Sequence, residues 1–89
     1  MYAFRLNDWN INQIARHGVE PVEAESVVSH ARRPYPEATF NDRFRVIGPD
    51  RSGRHMHVVC VPDVDGTAYI IHARDLTEPE KRRSRRRTR

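Results

Sequence analysis

Five histidines and 16 basic residues stand in an 89-residue chain, and their spacing decides whether they can act together. The recurrent spacing is two. Arg43 and Arg45 flank Phe44, His55 and His57 flank Met56, and His72 and Arg74 flank Ala73. In an extended strand, residues two apart share a face. If the three strands align, Arg43, Arg45, His55, His57, His72 and Arg74 form one basic cluster over an apolar base. A one-residue bulge would break that registration. Such a cluster has a chemical use. Arginines neutralise a phosphate and the charge that develops on it, and histidines carry protons to and from an RNA 2′-hydroxyl and a leaving oxygen. Attack by the RNA's own 2′-hydroxyl needs no protein nucleophile, so positioning supplies much of the rate. An exposed sheet face carrying ordinary polar residues accounts for the same spacing.

A metal site is the competing chemistry, because His55 and His57 share a strand face and His72 can add a third imidazole. Against it, carboxylates are missing from those strands, nearby arginines repel a cation, and the chain has neither HExxH nor paired cysteines. No metal or other cofactor is therefore expected. Cys60, the single cysteine, sits between Val59 and Val61 and reads as strand core. Gly18, Gly48, Gly53 and Gly66 are dispersed at element ends, so no glycine-rich phosphate loop is present and NTP hydrolysis is not indicated.

The elements that must position these residues follow from hydrophobic period and punctuation. Residues 2–6 suit a short opening strand. Asn7 or Asp8 can cap a first helix, with Trp9, Ile11 and Ile14 as its apolar side, running through His17 to a stop at Gly18. Pro21 fits the first turn of a second helix ending near His30, its buried face being Val22, Ala24, Val27 and Val28. Residues 32–36 form a loop, since residues before proline are pushed toward extended conformations. From Thr39 the period becomes two, with Phe40, Phe44 and Val46 in register. Turns at 48–53 and 63–66 then separate strands at 54–61 and 67–74. On the last strand, strict alternation sets Tyr69, Ile71 and Ala73 against Ile70, His72 and Arg74. Thr77 and Glu80 have capping-box spacing and announce a final helix. The expected fold is α+β: a three-stranded antiparallel meander, which the N-terminal strand can extend, with two helices before it and one after. Residues 1–80 make a single compact domain, and 81–89 an arginine-rich helical extension or tail.

That tail holds seven of the 16 basic residues, leaving a body with 9 basic against 12 acidic. An acidic body with a basic end draws polyanions to one end only. Lys81, Arg82, Arg83, Arg85 and Arg86 are accordingly candidates for RNA contact, with a solvated terminus as the plain alternative. No apolar run approaches the ~20 residues that span a bilayer, and residues 1–8 lack the marks of a signal peptide, so a cytoplasmic protein with no membrane contact is expected.

Fragments scattered over residues 4–83 share an order and spacing with a known family. They are Asn10 with Arg16, His17, Gly18 and Val19; Glu23 and Ala24 with Val27 and Val28; Arg43 leading to Ile47 and Gly48; Gly53 and Arg54 with Val58 and Val59; then Ile70 to Arg74, with Thr77, Glu80, Lys81, Arg82 and Arg83. In these the chain resembles the BrnT toxins, ribonucleases of type II toxin-antitoxin systems whose fold is related to the RelE toxins. The resemblance implies a bacterial, translation-inhibiting endoribonuclease, a cognate antitoxin as partner, and operator DNA bound through the toxin-antitoxin complex. It also points to His17, Arg43, Arg54 and Arg74 as the RNA-facing set. With the strand pattern, the candidate catalytic residues are His17, Arg43, His57, His72 and Arg74, and the candidate RNA-binding ones Arg45, Arg54, His55 and the tail residues named above. Trp9 stands where the family often has lysine, His72 where serine is usual, and Ser84 where tyrosine commonly follows the basic run. A catalytically weak relative, serving as a nucleic-acid-binding or protein-interaction module, is therefore the second reading.

Overall fold

The computed structural model describes residues 3–5, 8–62 and 66–87. Among them the order is β1 (Ala3–Arg5), α1 (Asp8–Ala15), α2 (Pro21–Ser29), β2 (Glu37–Ala38), β3 (Phe44–Pro49), β4 (His55–Pro62), β5 (Thr67–Asp75) and α3 (Glu78–Arg87). Strands β2 to β5 form an antiparallel meander, and β1 adds to the free side of β5 in parallel, Phe4 pairing with Ala68. The fold is thus the expected α+β arrangement, with the N-terminal strand included. The expectations placed on Tyr2, Leu6, Asn7 and most of the turn at 63–66 lie outside the described residues.

Helix boundaries follow local chemistry. After α1 the chain closes through Gly18 at φ 69°, where Gly18 N–H donates to the Ala15 carbonyl at 3.0 Å. Pro21 opens α2, and the Glu20 N–H donates to the Glu23 side chain at 2.8 Å. Ala24, Val27 and Val28 of α2 are buried with Ile14 of α1 against Val46, Met56, Val58, Cys60, Ile70 and Ala73 of the sheet. Helix α2 therefore covers this sheet face over β3 and β4, while α1 packs along β5. The alternate residues, Arg45 on β3, His57, Val59 and Val61 on β4, and Tyr69, His72 and Arg74 on β5, occupy the other face.

Val22, expected on the buried face of α2, is 60% exposed, and three further details depart from expectation. Phe40 is 88% exposed rather than in register with Phe44, because residues 37–44 make a hairpin. Its turn carries Asn41 and Asp42 at positive φ, and β2 is a two-residue strand that pattern alone does not reveal. Arg43 lies in that turn, exposed, and is not a member of β3. On β5 the strict alternation fails: Val59 pairs with His72 but Cys60 with Ile70, so Ile71 is an inserted bulge residue. Ala68, Ile70 and Ala73 consequently all face the core, and Ile70 does not share a face with His72 and Arg74.

Candidate functional site

The bulge at Ile71 is what assembles the site. By shifting alternation once, it keeps Ile70 and Ala73 in the core while His72 and Arg74 stay on the open face opposite Val59 and His57. Helix α1 runs beside β5 in the same direction, so Trp9 meets Tyr69 and His17 meets His72. The His17 and His72 rings are edge-on with centroids 5.2 Å apart, and His57 lies 6.2 Å from His72, also edge-on. Three histidines from α1's end, β4 and β5 thus converge, with Arg74 paired across the strands to His57. Arg45, opposite Val59, borders them.

Burial and neighbouring charge keep the two strand histidines neutral. Desolvation, then Arg74, holds His57 down to about 4, with His72 and Arg45 adding to the effect and Glu80 opposing it. For His72 the direction is the same, from burial first and then from His17 and Arg74. His57 also carries an Nδ1 that is buried and has no hydrogen-bond partner among the described residues, so this atom lies inside the protein and not on the solvent-facing surface. The two neutral rings are features of a proton-transfer site.

Arg74 is not idle. Its guanidinium donates to both Glu80 oxygens at 2.7 and 2.9 Å and to the Asp75 carbonyl at 3.1 Å. Glu80 in turn accepts the Thr77 N–H at 2.9 Å, and the Thr77 hydroxyl accepts the Glu80 N–H at 3.4 Å, closing the expected capping box at the start of α3. The Arg74 guanidinium and the Thr77 N–H hold the Glu80 carboxyl far below the usual carboxylate range. A phosphate reaching Arg74 must therefore compete with Glu80. The spacing of Thr77 and Glu80 showed the cap in sequence, but not that the same carboxylate grips Arg74.

The remaining candidates are placed elsewhere. Arg54 donates to Asp75 at 3.0 Å, to the Gly18 carbonyl at 3.0 Å, and to Glu23 and the His17 carbonyl at 3.4 Å. It clamps the turn that carries His17 onto the end of β5, and its donors are engaged within the protein. Arg45 is paired with Glu37 across β2 and β3. His55 and Lys81 line a separate cleft of about 1100 Å³ between the end of α2, the end of β3 and the start of α3. Lys81 also meets Glu78 at 3.3 Å. Arg82 and Arg83 are exposed on α3, whose backbone extends through Arg87; the side chains of Arg85 and Arg86 lie outside the described residues.

Cys60 is buried, and desolvation pushes its thiol up to about 12, which leaves no thiolate for catalysis near neutrality. Among the described residues, no group of three His, Cys, Asp or Glu side chains is arranged to hold a metal ion. None of the described helices is long and apolar enough to cross a membrane. The chain matches no family model, no curated protein and no solved structure.

Proposed function

We propose that this protein is a metal-independent endoribonuclease of the toxin type, resembling BrnT, acting on RNA in the cytoplasm. The observation that carries the reading is the convergence of His17, His57 and His72 beside Arg74 on an open sheet face, with two of the rings held neutral. A neutral His72 suits a general base: its ring takes the 2′-hydroxyl proton as the oxygen attacks the adjacent phosphorus. The bond to the 5′-oxygen breaks, a 2′,3′-cyclic phosphate forms, and the leaving oxygen takes a proton from a second ring, that of His17 in this reading, which lies against His72. Arg74 neutralises the charge on the phosphorane oxygens once it is released from Glu80. The type II module supplies the partners of this reading, a cognate antitoxin and, through the complex, operator DNA.

Incubation of total RNA with the purified protein in EDTA tests the proposal, with His72→Ala and Arg74→Ala as folded controls. Cleavage by the wild type that both variants lose is expected. RNA bound but uncut by the wild type would reject it. A second reading, a non-catalytic nucleic-acid-binding module, draws on the bidentate Arg74–Glu80 pair, which fills the fork a phosphate would need. It predicts that removing residues 81–89 abolishes every nucleic-acid effect while His72→Ala changes none.

A further inference from the structure

Trp9 reads as core in sequence, yet 51% of it is exposed. Ile11, Val22 and Phe40 are exposed as well, and what sets Trp9 apart from them is its aromatic partner. It is not loosely placed. Its ring stacks on Tyr69 with centroids 6.1 Å apart and planes inclined by 20°, so one face is supported while the side chain remains open to solvent. Tyr69 shares the open sheet face with His72; their partners on β4, Val61 and Val59, are two residues apart, so the bulge leaves the pair roughly 7 Å apart along the strand at ~3.3 Å per residue. The aromatic pair therefore lies in line with the histidine cluster, along the path a strand would follow to either side of a phosphate held there.

We infer that Trp9 and Tyr69 form a nucleobase-stacking subsite that holds a base neighbouring the reacting nucleotide. The inference rests on the proposed RNA reading and adds how the substrate is gripped. Aromatic rings accept any base, because every base offers a π face, and the contact does not depend on charge. That independence matters here: the body of the molecule is acidic, with 9 basic residues against 12 acidic ones outside 81–89, so phosphate attraction alone does not fix a strand on this face. A stacked base supplies affinity where the electrostatics do not.

The chain has a single tryptophan, so intrinsic fluorescence reports on the subsite directly. A single-stranded DNA oligonucleotide is the first probe, since it carries bases but lacks the attacking 2′-hydroxyl and survives; inorganic polyphosphate is the base-free polyanion control. The oligonucleotide is expected to quench Trp9 saturably and polyphosphate to leave it unchanged. Trp9→Leu is expected to weaken oligonucleotide binding about ten-fold at every salt concentration, with the slope against log salt unaltered, and Trp9→Phe to restore most of it. Oligonucleotide binding without quenching, or with the affinity of Trp9→Leu unchanged, would overturn the subsite. So would equal quenching by polyphosphate, or no binding at all, which would leave the exposed pair to a protein partner. RNA cleavage by the wild type, measured separately in EDTA, shows whether the nuclease reading fails with it or stands alone.

Discussion

At the scale of single residues, the chemistry turns on which histidines are neutral. His72 is held below its ordinary value of 6.5 by burial, His17 and Arg74. A general base works only when deprotonated, so lowering its pKa extends activity toward acid. The acid limb of kcat/KM for RNA cleavage is therefore expected to fall below pH 6.5; a limb at or above 6.5 would show that another group is the base. His57 makes a different claim, on stability. Its pKa drops from 6.5 in the unfolded chain to about 4 in the fold, so the folded state resists protonation. Its stabilising contribution is complete above 6.5 and is lost as the pH falls through 4. Thermal melts should show Tm declining across that window, and His57→Gln should flatten the decline. An unchanged decline in the variant would assign the acid sensitivity to other groups. The neutrality of these rings was not legible in sequence, since it follows from burial and from arginines that reach them across strands. What was legible was their type and two-residue spacing.

At the scale of elements, α3 is joined to the site through one carboxylate. Glu80 caps its own helix by accepting the Thr77 N–H and holds both prongs of Arg74. Replacing Glu80 with alanine should cost about 1 kcal/mol of stability, the usual effect of losing a helix cap, and should free Arg74. RNA affinity is then expected to rise while Tm falls; affinity that falls with Tm would mean that Arg74 needs Glu80 to be positioned. The elements themselves were largely readable. Gly18 and Pro21 mark real boundaries, and β3 and β4 carry their period openly. Two features were hidden for physical reasons. Strand β2 is two residues long, too short for any periodicity, and its hairpin turn leaves Phe40 in solvent where alternation would place it with the core. The bulge at Ile71 is invisible because one inserted residue leaves the composition of β5 unchanged and alters only which side chains face inward. It decides that His72 and Arg74 share the open face while Ile70 joins the core. The His72 and Arg74 pairing was therefore right in sequence, but the assignment of Ile70 to their side was not.

For the whole molecule, the charge distribution separates attraction from chemistry. The histidine cluster belongs to an acidic body, whereas seven of the nine residues at 81–89 are basic, and α3 carries that basic segment away from Glu80 through Arg87. Long-range attraction of RNA must then arise mainly at one end, while positioning and proton transfer occur on the sheet face. Each phosphate contact on a single strand contributes about 0.7 to the slope of log affinity against log salt. Ending the chain after Ser84 removes Arg85, Arg86, Arg87 and Arg89 but keeps the Thr77–Glu80 cap and Lys81. Binding of the truncated chain to a single-stranded oligonucleotide should weaken most at low salt, and its slope should be shallower by up to about 3 if all four arginines meet phosphates. Fluorescence anisotropy across a salt series measures both. An identical slope would mean that these arginines contact no phosphate and that the basic end serves another purpose. A slope reduced to zero would mean that the sheet face adds no phosphate contact of its own, which would exclude Arg74 from the phosphate-binding role that cleavage requires of it.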